Sequence, residues 1–198
     1  MPKINVSDLR SNILKNSKIK LLATNLANEQ VEKDKLSFLE EFNSHPVTLE
    51  LESGEGASNI SGTLGGYGNL FSFIGFVSGS DPINPIRRLI KRIKLIRSSI
   101  KARRASSSSP TFSFSVSIPS RADFEKASKM PWASGRSWLL GVERGISGFG
   151  NYLNQAFSGS RSGSGLQSIN KIRNYSFKNI SYFSKMYSNF LKKYNSKK

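Results

Sequence analysis

Cysteine is absent from this 198-residue chain, which excludes disulfides and thiolate-held metals. Histidine occurs once, at His45, so dyads and metal sites that need two imidazoles are excluded as well. Apolar runs are short: none approaches the ~18 residues of a membrane-spanning helix. No signal peptide is expected either, because MPKINVSDLR is not followed by an apolar stretch and a small-residue cleavage site. Apolar residues make up only 37% of the chain, which predicts a modest core carrying extensions. The last scarcity is one-sided. Residues 1–85 hold 7 Lys/Arg and 10 Asp/Glu, a net of −3, whereas residues 86–198 hold 23 and 3, a net of +20. A basic half of that size calls for an acidic counterpart: nucleic acid, anionic lipid or an acidic protein surface.

What is present begins with HPVTLELESGEGASNISGTLGGYGNLFSFIGF, residues 45–76. Val47, Leu49 and Leu51 alternate with Thr48, Glu50 and Glu52, the period of a half-buried strand. Gly54, Gly56 and Asn59 supply turn chemistry. Residues 60–64 and 70–77 read as two further strands, the second apolar on both faces. The expected fold class is therefore α+β: a small antiparallel sheet covered by helices, with extended helical arms at both ends. Three segments are expected, an N-terminal helical arm over 1–43, a core domain over 44–155, and a loop with a C-terminal helical arm over 156–198.

In the first arm Asp8 is a candidate cap for a short helix, and a longer helix is expected over residues 21–42. Its apolar stripe, Leu22, Leu26, Leu36, Leu39 and Phe42, is broken, which suits a helix lying on a surface. After the SGSDPINP loop, Ile86, Leu89, Ile90, Ile93, Ile96 and Ile100 fall at helical spacing and predict a basic amphipathic helix over 86–104. Its cations are Arg87, Arg88, Lys91, Arg92, Lys94, Arg97, Lys101, Arg103 and Arg104, and no acid occurs between Pro82 and Ala122. These nine are the candidate contacts to DNA or to an acidic partner, against the plainer reading of a solvated face. TFSFSVSIPS then alternates strictly and predicts a strand added to the sheet of residues 47–77.

SRADFEKASKM reads as a short helix capped by Ser120 and Asp123, and a second helical stripe starts at Ser137. The glycines at 141, 145, 148 and 150 within that stripe point to close backbone approach, as against another subunit. The tail ends in a helix whose stripe includes Phe183, Tyr187, Phe190 and Tyr194. With Trp132 and Trp138 these four are the candidate inter-subunit contacts, although core packing explains each taken singly.

Catalytic chemistry is not expected. His45 precedes a proline and suits a cap better than a general base. The neighbouring acids Glu40 with Glu41, and Glu50 with Glu52, have no partner acid elsewhere. GTLGGYGNL lacks the lysine of a phosphate-binding loop, and GISGFG departs from the dinucleotide fingerprint. No cofactor and no metal is implied.

Three blocks together carry a resemblance: FNSHPVTLELESGEGASNISGTLGGYGNLFSFIGF, DPINPIRRLI and MPWASGRSWLLGVERGISGFGNYL, within residues 40–153. In them the chain resembles the neck proteins (head–tail connector, tail-completion) of long-tailed bacteriophages. The resemblance implies a structural virion protein, made in the host cytoplasm, that forms a homo-oligomeric ring. That ring would join the portal or adaptor side to the tail-terminator or tail proteins around the DNA path, with non-specific contact to packaged DNA and none to membrane. A tail terminator that caps the tail tube is the neighbouring alternative. The competing class is a stand-alone basic nucleic-acid-binding protein, supported by Arg and Lys interleaved with Phe and Tyr from Tyr175 onward.

Overall fold

The computed structural model of the chain describes residues 12, 15–66, 68–103, 111–145 and 177–195, with the backbone alone at 97–103, 111 and 195. Among the described residues it is a mixed α+β structure with seven α-helices and two antiparallel two-stranded sheets. The helices are α1 (Ser17–Ser44), α2 (Pro46–Glu52), α3 (Leu70–Ile74), α4 (Asn84–Lys91), α5 (Arg121–Ala127), α6 (Trp138–Arg144) and α7 (Phe183–Asn195). The strands are β1 (Lys94–Arg103), β2 (Thr111–Ser117), β3 (Lys129–Met130) and β4 (Ala133–Ser137). Two compact units result, one of residues 1–37 and 91–119, the other of 38–90 and 120–198. They interleave along the chain instead of following it in order.

The smaller unit holds most of α1 and the β1–β2 ribbon. Asn16 starts α1 by accepting from the Lys18 amide at 2.9 Å, the role of a helix N-cap. The expected cap at Asp8 lies outside the described residues. Val31 is buried, whereas Leu22, Leu26 and Leu36 of the anticipated stripe are 57–61% exposed. The Lys35 ammonium bridges to Glu32 at 2.6 Å and reaches the Ile93 carbonyl at 3.4 Å, tying α1 to the start of β1.

The expected basic helix over 86–104 stops at Lys91. From Ile93 the burial alternates, Ile93 and Leu95 inside, Lys94 and Ile96 outside. That is the two-residue period of a strand, and β-branched isoleucines favour it. The TFSFSVS strand is present as β2, but it pairs with β1 and not with residues 47–77.

The larger unit carries the main core. Residues 45–76 contain no strand. His45 accepts from the Val47 amide at 3.2 Å and Pro46 opens helix α2, so the histidine does cap, at a helix. The alternation at 47–51 misleads because Val47 and Leu51, four apart, share a face in either period. Leu49 separates the two readings, and it is 42% exposed. Residues 70–74 also form a helix, α3, in place of a strand. Asn69 caps it through Ser72 N at 2.9 Å, and Gly75 ends it at φ +92°, a conformation glycine reaches without strain. Ser120 and Asp123 form the anticipated capping box of α5.

Helix α7 is embedded in this unit, not extended from it. Phe183, Met186 and Phe190 are at most 4% exposed, with Phe183 4.5 Å from the Phe124 ring and Phe190 5.0 Å from that of Phe38. The segment before it is pinned by Lys178 N to the Thr63 carbonyl at 2.8 Å. Glu143 of α6 then accepts from the Ser184 amide at 2.6 Å and from its hydroxyl, capping α7 from a neighbouring helix.

Candidate functional site: buried polar pins and a basic ribbon

Two carboxylates that stand two residues apart in α2 have opposite fates. A helix turns about 200° in two residues, so Glu50 faces inward and Glu52 outward. Glu50 is fully buried and accepts at 2.7–3.1 Å from the Leu70 amide, the Ser61 amide and the Asn59 side-chain amide, which reaches both of its oxygens. The other end of Asn59 accepts from the Leu64 and Gly66 amides at 2.8 and 3.2 Å. Gly66 sits at φ +86°, which lets its N–H turn toward that oxygen. Thr63 Oγ1 completes the network, 3.1 Å from the Asn59 amide and 2.9 Å from Ser61 Oγ. A buried carboxylate with its acceptors filled by donors organises a loop; it has no free oxygen to offer a substrate. The alternating pattern had placed Glu50 on a solvated strand face. The signal that locates it is ASNISGT, an Asn flanked by small hydroxyl residues and glycine.

Glu52 receives the fork of Arg87, at 2.5 and 2.7 Å, while Arg87 Nε donates to Asn43 at 2.7 Å. The guanidinium holds the Glu52 carboxyl below its usual range, chiefly through that hydrogen bond. Arg87 is thereby engaged in joining α4 to α2 and α1, which removes it from the cations offered to a partner.

The other basic candidates divide. Arg88 is exposed on α4 in the larger unit. In the smaller unit Lys91, Arg92 and Lys94 are exposed and make no ion pair among the described residues. Arg97, Lys101 and Arg103 lie on β1, and Arg104 lies outside the described residues. Lys94 pairs with Ser117 and Ile96 with Ser115; then five steps along β1 match two along β2 before Lys101 pairs with Ser113 and Arg103 with Thr111. An odd surplus turns a strand over. Register positions 94, 101 and 103 therefore share the row of Ser113, Ser115 and Ser117, where an unbroken ladder would have set 101 and 103 on the Phe112 row.

Of the candidate inter-subunit aromatics, Trp138, Phe183 and Phe190 are buried within the larger unit and serve its core, which corrects the expectation that they face a neighbour. Trp132 is half-buried and donates to the Ile74 carbonyl at 2.6 Å. Tyr187 and Tyr194 are half-buried along α7, their rings 5.8 Å from Phe183 and 5.2 Å from Phe190. The glycines at 148 and 150 fall outside the described residues.

The His45 ring packs at a tilt 4.6 Å from the Tyr182 ring, and Tyr182 shares a buried 2.6 Å hydrogen bond with Thr48. Burial pushes the Tyr182 phenol up and the His45 imidazole down, against a backbone hydrogen bond to Ser181 and the charge of Glu41. Each polar group in this cluster is used to lock α2 against the segment that enters α7. The cleft between α5, α6 and α7 has a cavity volume of only about 10 Å³, room for about one water, and its Glu143 is already engaged. Among the described residues no three His, Asp or Glu side chains gather as metal ligands, and no helix is long and apolar enough to cross a membrane. No family model, curated protein or solved structure matches the chain.

Proposed function

We propose that this chain is a non-enzymatic assembly protein of a tailed-phage neck. A homo-oligomeric ring of it joins the head, through portal or adaptor, to the tail around the DNA path, and the β1–β2 ribbon holds its anionic counterpart. The observation that carries the reading is the exposed Lys91–Arg92–Lys94 stretch. It runs without an ion pair among the described residues into a strand whose register positions 101 and 103 share the row of 94, inside a stretch that holds no acid. Uncompensated cations on one ribbon repel each other and are stabilised by a polyanion or an acidic surface. The buried Glu50 supports it from the other side, since it is consumed as a structural acceptor. The neck setting itself rests on the resemblance of the three sequence blocks.

The test is the mass of the protein by light scattering at low and high salt, alone and with duplex DNA. A closed oligomer, or a monomer that joins heads or tails and then closes into a ring, is the expected outcome. A lasting monomer that adds to neither overturns the neck reading. If that monomer binds duplex with log K falling linearly in log salt, the stand-alone nucleic-acid reading takes its place.

A further inference from the structure

Helix α1 leaves Leu21, Leu22, Leu26 and Leu36 57–63% exposed, although its inward side already has an apolar anchor. Val31, nine residues after Leu22 and so about half a turn around the helix, is the buried one. The outward residues are regularly spaced. Leu22, Leu26, Glu29, Lys33 and Leu36, all exposed, follow one another at steps of four, three, four and three, the seam of a coiled coil. Glu29 and Lys33 form no ion pair among the described residues.

We infer that this seam pairs antiparallel with the same seam of a second copy, centred on position 31. In that register Leu26 meets the second copy's Leu36, and Glu29 meets its Lys33. Each contact occurs twice by the two-fold axis. A parallel pairing in register would set Glu29 on Glu29 and Lys33 on Lys33, so like charges exclude it. The seam's charge order is what points to a second copy: acid and base sit symmetrically about the midpoint, so the seam complements its own reverse. The contact is short, because Leu22 already meets Glu40 at its end. The area then falls below the ~1,200 Å² of stable complexes, and the dimer is one that forms at roughly 10–100 µM chain.

The absence of cysteine makes the test clean. Full-length Leu26→Cys and Leu36→Cys proteins are prepared separately, and disulfide dimers are followed under mild oxidant, each alone and mixed. The antiparallel register places positions 26 and 36 opposite each other, while two copies of position 26 stand about 15 Å apart along the axis, beyond disulfide reach. The mixture is therefore expected to cross-link at least tenfold faster than either protein alone. Equal rates in the three samples, or none above background, overturn the pairing; the latter would mean that another part of the chain covers the seam. Sedimentation supplies a second readout. Lys33→Glu should weaken the dimer about tenfold, and Glu29→Lys with Lys33→Glu should restore it with the thermal midpoint unchanged. A larger oligomer indifferent to these variants also sinks this inference, and leaves the neck-ring reading untouched.

Discussion

Residues 45–75 and residues 82–122 are built from opposite materials and handle charge in opposite ways. The first stretch is acidic, and it uses its charge internally: Glu50 gathers a loop around itself and Glu52 takes up Arg87. The second has no acid, and between Arg87 and Arg121 it leaves its described cations, Arg88, Lys91, Arg92 and Lys94, to solvent. A buried charge tolerates the loss of its partners poorly, because its desolvation is already suffered; an exposed one loses little. The lesson is a division of labour. The polar pins of 45–75 hold structure, and the ribbon holds the exposed cations on which the proposed binding rests.

The largest effect should come from Glu50→Ala. It strips the acceptor from the buried Leu70 amide and from the Ser61 and Asn59 donors, so about 3 kcal/mol or more of stability should be lost, read from urea midpoints. A Glu50→Ala protein as stable as the parent would end the contrast drawn above. Next comes the triple substitution Lys91→Gln, Arg92→Gln, Lys94→Gln. Surface changes of this kind move stability within about 0.5 kcal/mol each. If the three meet phosphates, the slope of log K against log salt for duplex DNA should fall by about 2.7. An unchanged slope would remove this stretch from the binding surface and leave its exposure unexplained.

The sequence was informative where one period dominated and misleading where two coincided. Strict alternation over TFSFSVS placed β2, and the Ser120–Asp123 pair placed the cap of α5, because a local hydrogen bond or a long period leaves one solution. Residues 47–51 are too few to separate a helix from a strand, and the arbiters were punctuation: His45-Pro46 before α2, Asn69 before α3, Gly75 after it. Over 86–104 the isoleucines satisfied a helical period across a real boundary, and only the change at Ile93 and Leu95 marks the passage to a strand. The α+β class was legible, while the position of the sheet was not. For the surface, composition located the basic stretch but could not show that Arg87 is bound to Glu52, a contact 35 residues apart. Nor could it show the surplus in β1, which is fixed by pairing with β2.

The smallest effect separates the two stretches by pH. His45 belongs to the internal set: its ring accepts the Val47 amide, which requires the unprotonated nitrogen, and burial lowers its pKa below the ordinary 6.5. Between the folded value and 6.5 the unfolded chain binds more protons, so stability rises with pH across that window and is lost as pH falls through it. With the ring half exposed, solvent screening limits the change to ~1–2 °C in Tm. His45→Asn keeps a capping side chain without the titration, so its Tm should be flatter than the parent's from pH 7 down to the onset of carboxylate protonation. The cations of the ribbon stay charged throughout that window, so duplex affinity should not follow the His45 titration. Parallel loss of Tm and affinity in the parent, absent from His45→Asn, would show that the binding surface depends on the pins, and the division of labour would have to be withdrawn.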